Sequence, residues 1–420
     1  MKHPTSNVVR VSDTLTGHGP HNRVGHRVGT PGYRRVMIAM TAAGIATFAQ
    51  LYAVQAVLPG LADSFDASAA GVALSVSFAT AGLAGFVLVW SGIADRFGRV
   101  RVMTVALTVS TILGLAAPFA PDLWVLLLLR ALQGAALGGV PAVAMAYLAE
   151  EIDPAHLGRV AGIYIAGNSV GGMSGRLVAG AVADIGGWRW GVGADSVLAL
   201  VALIVYLVAV PRANGFTPRV RSSAGPGLLR RILTGVADPG LVALYCQALF
   251  LMGAFVTVYN YLGFRLTGPP FHLSQTLVAF LFVAYLAGTF SSAVVGRVTE
   301  RVGRHPVLLA CVGAMVIGVC VLLLPSLVAI VVGLLLLTFS FFAAHATAAA
   351  WVGHRASAAN RAQAAALYTL AFYVGSSLFG WLGGLFYDHF GWRAVILYVV
   401  SLCAAAALSG LGLRVRSVRA

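Results

Sequence analysis

The stretch Leu123–Ala149, LWVLLLLRALQGAALGGVPAVAMAYLA, carries one charged side chain, Arg130, in 27 residues. Its length matches the ~20 residues a helix needs to cross a ~30 Å hydrocarbon layer. It lacks the strict apolar/polar alternation over ~10 residues of a membrane β-strand. Runs of the same kind fill the chain, at about 35–58, 69–90, 102–120, 123–149, 160–183, 190–210, 240–262, 274–295, 307–324, 327–351, 362–386 and 394–413. Across 420 residues, 59% are hydrophobic and 10% charged, against roughly 25% charged in a soluble domain. The chain cannot cover a water-facing surface, and the reading is an all-α integral membrane protein with twelve transmembrane helices.

The formal net charge is +15, which would suit nucleic acid if the cations shared one face. They follow the spans instead. With the N-terminus inside, every Lys and Arg falls on the cytoplasmic side except Arg189, Arg265 and Arg393 outside and Arg130 and Arg176 within spans. This is the positive-inside pattern, so both termini are expected in the cytoplasm, the basic loops beside the lipid bilayer, and no nucleic-acid partner. Residues 1–33 are polar, lack the apolar core of a cleaved signal and read as a disordered cytoplasmic tail. Residues 414–420 read as a second tail. The cysteines Cys246, Cys311, Cys320 and Cys403 sit in apolar spans without paired spacing, and no phosphate loop or HExxH motif occurs. No cofactor, metal or enzymatic activity is expected.

Two markers repeat. Asp95-Arg96-Phe97-Gly98-Arg99 follows span 2, and Glu300-Arg301-Val302-Gly303-Arg304 follows span 8. Asp184-Ile185-Gly186-Gly187-Trp188-Arg189 follows span 5, and Asp388-His389-Phe390-Gly391-Trp392-Arg393 follows span 11. The offsets, 205 and 204, nearly agree. They divide the chain into two pseudo-symmetric six-helix bundles, 34–210 and 239–413, joined by a cytoplasmic linker at 211–238. Parallel repeats of six helices are a transporter architecture, with the solute site near the midplane between them.

These residues resemble the major facilitator superfamily over roughly 34–413. The Asp95–Arg99 marker is similar to that superfamily's signature between helices 2 and 3, with Ser91 where a glycine is usual. Arg130, Gln133 and Gly134 resemble a motif of proton-coupled members. Gly167-Asn168-Ser169-Val170-Gly171-Gly172 resembles the antiporter motif without its proline. Tyr52, Gln55, Leu58 and Pro59, with the Gly-Trp-Arg after span 5, resemble the arabinose-efflux-permease-like branch. The resemblance implies alternating-access transport of a small organic solute in the bacterial inner membrane, with export in exchange for protons preferred over proton-coupled uptake or ligand sensing, and a role for Arg130 in proton coupling. A monomer is expected.

A carboxylate at a tight turn suits a latch between bundles. Asp95, with Arg96, Gly98 and Arg99, is expected to cap the start of span 11 near 360–362. Glu300, with Arg301, Gly303 and Arg304, would do the same at the start of span 5 near 158–159. Arg130 and Arg176 lie ~12 Å into the membrane. A buried guanidinium stays charged and needs a partner or water. Asp195 or a nearby external Asp is expected to neutralise one of them, leaving the other to face the cavity or tune a proton site. Gly167, Gly171 and Gly175, with Gly172, form a smooth face for close helix packing, or for a sliding seam between bundles. Gln50, Tyr52, Gln55, Gln133, Tyr259, Asn260, His345 and Tyr373 are the expected cavity lining, His345 being a titratable group within a span. Rings with polar tips and neutral amides suit an amphipathic organic solute.

Overall fold

The computed structural model of the protein describes residues 25–213, 235–357 and 360–417. Among them it is helical, with no strand beyond an isolated bridge between His26 and Ile152. The order is α1 (Pro31–Tyr52), a 3₁₀ turn (Ala53–Val57), α2 (Leu58–Phe65), α3 (Ala69–Phe97), α4 (Arg99–Ala116), α5 (Leu123–Leu137), α6 (Ala144–Glu151) and α7 (Leu157–Ala209). After the linker come α8 (Pro239–Thr267), α9 (Gln275–Phe280), a 3₁₀ turn (Leu281–Ala284), α10 (Tyr285–Val302), α11 (Arg304–Val321), α12 (Leu327–Arg355) and α13 (Arg361–Ser417).

Starts and stops follow local chemistry. Thr30, Ser68, Asp122, Asp238, Ser274 and Ser326 each place a side-chain oxygen on a first-turn N–H of the helix that follows, offsetting donors the helix leaves unpaired. The repeated markers fold alike. Gly98 and Gly303 both end a helix at φ +96°, and Gly187 and Gly391 stand at φ +77° and +72° inside α7 and α13. A side chain is strained in this left-handed region, so glycine is the residue that allows each corner.

Nine segments among the described residues are long and apolar enough to cross a membrane. Two of them, of 56 and 53 residues, would each measure about 80 Å as one straight helix. The count of twelve takes each as two spans meeting at its glycine corner and adds 123–151, which breaks at 138–143. The tail expected to be disordered through 33 is ordered at its end. His26 exchanges backbone hydrogen bonds with Glu151 and Asp153, Arg27 pairs with Asp153 at 3.0 Å, and helix begins at Pro31. Most of the linker and the first 24 residues lie outside the described residues.

Hydrogen bonds sort the helix ends into two faces. On the face nearest the chain ends, Arg35 donates to the carbonyls of Val208 and Ala209, Arg99 to Glu150, and Arg355 to Asp238. On the distal face, Arg189 donates to Ala120 O and Trp392 to Leu322 O. Hydrogen bonds between the N-terminal half (25–213) and the C-terminal half (235–417) lie at mid-depth and on the distal face; among the described residues none crosses on the terminal face. Among the described residues the halves are thus hydrogen-bonded to each other from mid-depth to the distal face.

Candidate transport site

α1 stops at Tyr52, and the tighter turn after it frees carbonyls of its last turn. The fully buried Arg130 guanidinium takes them up: Nη1 donates to Gln50 O at 2.8 Å, Nη2 to Leu51 O, Nε to Ser75 O at 3.2 Å, and Nη1 also to Gln133 Oε1. Gln133 Nε2 donates to Gln50 Oε1 at 3.0 Å and to Ser110 O. A planar fork at the negative end of a helix is stabilised by the dipole as well as by the individual bonds. Gln50 and Gln133, expected to line a cavity, are 1% and 2% exposed and belong to this network instead.

Arg176, on α7, is held differently. It donates to Gln55 Oε1 at 2.8 Å, Gly172 O at 2.6 Å and the Tyr285 hydroxyl at 3.2 Å. Its guanidinium carbon lies 4.7 Å from the Tyr52 ring centre and 4.8 Å from those of Phe282 and Tyr285. Three electron-rich faces offset part of the cost of desolvating the charge. Gln55 Nε2 donates to Asn260 Oδ1 at 2.6 Å, so Arg176 bridges the halves twice, through Tyr285 and through Gln55–Asn260. Tyr285 and Phe282 were not anticipated; they are rings in an apolar run, and their partner lies 109 and 106 residues away in the chain.

Asp195, or a nearby external Asp, was expected to neutralise one arginine. It interacts electrostatically with both Arg130 and Arg176, yet it makes no ion pair with either, and its Oδ1 is buried without a hydrogen-bond partner. The physical reason is competition: both guanidinium forks are already occupied by carbonyls, amides and a phenol.

Between the halves the buried hydroxyls of Tyr52 and Ser376 interact with each other, and the buried Tyr164 hydroxyl interacts with the Asn168 side chain. Tyr373, expected in the lining, is 5% exposed. Tyr164 and Ser376 escaped the sequence reading because a lone hydroxyl in an apolar helix has no periodic signature. The hydroxyls of Tyr259 and Thr338 share a hydrogen bond at 2.7 Å. His345 is fixed through Nδ1 by the Tyr368 hydroxyl at 3.0 Å and packs against Phe372 with ring centres 4.7 Å apart. A groove of about 500 Å³ separates α3 from α13 beside Phe78, Leu370, Val374 and Trp381. At this groove Ser77 and Ser377 donate to each other's backbone carbonyl at 2.8 Å.

The sequence model of the Major Facilitator Superfamily matches residues 40–270 and 266–420. The chain belongs to the major facilitator superfamily. It is 40% identical over 382 residues to the inner membrane transport protein YnfM of Escherichia coli, covering 91% of each chain. To the MFS-type transporter YybF of Bacillus subtilis it is 36% identical over 385 residues, covering 91% of this chain and 95% of that one. Its fold resembles the peptide transporter POT in complex with sulfate, at TM-score 0.74 and 14% identity over 94% of this chain and 96% of that one. It also resembles a bacterial Spinster homologue in an inward-facing, unoccupied conformation, at 0.73 and 17% over 92% and 95%. The chain is thus a multi-pass membrane transporter and not an enzyme.

In this superfamily member the anticipated latch is not engaged. Asp95 Oδ1 meets Arg99 Nη1 of its own half at 2.7 Å rather than the start of α13, and Arg99 also reaches Glu150 at 3.3 Å. Arg96 lies over the Phe97 ring, while Glu300 and Arg301 are exposed and Gly303 and Arg304 half-buried. The glycine face does not join the halves either. A Cβ on Gly171 would lie 2.6 Å from Ile45 Cα, one on Gly175 2.7 Å from Ala49 Cα, and one on Gly167 3.2 Å from Thr41 Cα. All three partners are on α1, so the seam is internal to the N-terminal half, with Gly172 beside the Arg176 side chain.

Proposed function

We propose that the chain is a monomeric secondary exporter of the bacterial inner membrane, moving a small amphipathic organic solute outward in exchange for protons. The terminal face is cytoplasmic in this reading, and two six-helix bundles, 34–210 and 239–413, rock about the site. The observation that carries it is Asp195: a buried carboxylate, 2% exposed, unpartnered at Oδ1 and facing two occupied guanidiniums. A charge in such a place is costly unless it is paired. When Asp195 holds a proton, Arg176 remains free to bridge the halves. When it loses the proton, it competes for Arg176 against Gln55 and Tyr285, and the bridge weakens. Protonation therefore favours the distally sealed, inward-open conformation, and deprotonation releases it, which is the coupling an exchanger needs. The buried hydroxyls of Tyr52, Tyr164 and Ser376 offer neutral hydrogen bonds to the solute.

The inward-facing conformation of the Spinster homologue supports the assignment of faces. The test uses respiring everted vesicles and a panel of sugars, amino acids, organic anions and lipophilic cations. Exchange predicts that at least one compound collapses the pH gradient only when the protein is present. Solute uptake into right-side-out cells driven by an inward proton gradient would instead establish symport.

A further inference from the structure

The markers Asp184–Arg189 and Asp388–Arg393 recur at one offset, and the charge network gives their carboxylates no task. Both do the same thing in the structure. Asp388 accepts hydrogen bonds from the backbone N–H groups of Ala69 and Ala70, at 3.0 Å each, on the first turn of α3 in the other half. Asp184 accepts from Gln275 and Thr276, at 3.0 and 3.2 Å, on the first turn of α9, again in the other half. The next N–H of each turn is already served within its own half: Ser68 Oγ takes Gly71 and Ser274 Oγ takes Leu277. Carboxylate and serine together cap each helix start, with half of each cap supplied from across the interface.

The rest of each marker aims that carboxylate. Four residues before it stands a glycine at the point of closest approach. A Cβ on Gly384 would meet Ala70 Cα at 2.5 Å, and one on Gly180 would overlap Ala279 Cβ. Three residues after it comes the left-handed corner at Gly187 or Gly391. The tryptophan that follows is anchored in its own half: Trp188, 2% exposed, packs on Phe65, and Trp392, 8% exposed, donates to Leu322 O at 3.1 Å. Thus the pattern Gly-x-x-x-Asp-x-x-Gly-Trp reads as approach, cap, corner and anchor, twice.

We propose that Asp184 and Asp388 are the paired gate residues of the distal face, holding the transporter closed there by capping helices of the opposite half. To open outward, both caps must break, and the carboxylates and helix starts pass to water. The inference concerns the gate alone and does not depend on which solute or ion is carried. Two charge-assisted bonds at a helix start, partly exposed, make each cap worth about tenfold in the ratio of sealed to open distal faces.

The test is a pulsed-EPR distance between spin labels at Ser64→Cys and Phe390→Cys. Both sites are exposed and lie on opposite halves of the distal face. The background replaces Cys246, Cys311, Cys320 and Cys403 with alanine, and no solute or gradient is applied. Asp184→Ala and Asp388→Ala should each shift about tenfold more of the population to longer distances, and the pair more than either. Asp→Asn, which keeps one acceptor oxygen and the fold, should do so less strongly and serves where the alanine pair fails to assemble. A second label pair at Arg96→Cys and Arg361→Cys on the terminal face should shorten in step, which mere loosening would not produce. Unchanged distal distances in folded Asp184→Asn/Asp388→Asn protein would overturn the proposal.

Discussion

Arg130→Lys keeps the charge and removes the fork, which isolates what the geometry of Arg130 contributes. The guanidinium serves four acceptors in three directions: Gln50 O and Leu51 O at the end of α1, Ser75 O on α3, and Gln133 Oε1 on its own helix. A lysine ammonium is a single nitrogen and cannot span α1 and α3 together. At least two of the buried carbonyls would lose their donor, at about 1–3 kcal/mol each, so the variant should be destabilised by about 2–6 kcal/mol. Thermal unfolding of the purified protein in a fixed detergent, followed by tryptophan fluorescence, should show melting lowered by about 2–7 °C. A melting temperature equal to wild type would refute the view that Arg130 ties the end of α1 to α3 and α5.

Gly171→Ala places a Cβ 2.6 Å from Ile45 Cα, so α1 and α7 must separate by nearly 1 Å, costing about 1–3 kcal/mol. Gly162→Ala on the same helix meets nothing within 4 Å and should raise melting slightly, by about 0.5–1 kcal/mol. Gln55→Leu, which breaks the contacts to both Arg176 and Asn260, should slow solute exchange more than Tyr285→Phe, which keeps the ring and loses one 3.2 Å bond; the two exchange rates measured side by side check the order. At Asp238, outside the spans, burial pushes the carboxyl up, but the hydrogen bonds from Arg355 and the Gly240 backbone outweigh it and leave it below its usual range. A depressed carboxyl stabilises the fold above its unfolded pKa of about 3.9 and loses that contribution as pH falls through the lower folded value. The melting difference between wild type and Asp238→Asn should therefore be constant from about pH 5 to 7 and shrink towards about pH 3.

Span positions were legible because a helix crossing hydrocarbon must be apolar along its whole length, and that pattern is local. The repeated glycines were legible too: Gly98 and Gly303 share one backbone geometry because a marker fixes its own turn. Partners were not. The i, i+4 spacing of Gly167, Gly171 and Gly175 defines a face but does not say that α1, rather than the other half, lies against it. The same holds for Asp195, whose neighbours Arg130 and Arg176 were anticipated from burial alone. That both forks are filled first depends on where α1 breaks and on Tyr285 arriving from the other half. The latch between halves was foreseen as a carboxylate on a helix start, and the structure places that chemistry on the distal face, at Asp184 and Asp388, while Asp95 pairs within its own half.

The central claim, that Asp195 carries the proton, is tested most directly by separating exchange from driving force in reconstituted Asp195→Asn protein. The amide keeps the shape of the carboxyl and cannot titrate. Solute-for-solute exchange across the membrane without a gradient should persist at a rate near wild type, while a pH gradient should no longer drive solute accumulation. Accumulation driven by the pH gradient in Asp195→Asn at the wild-type level would contradict the account.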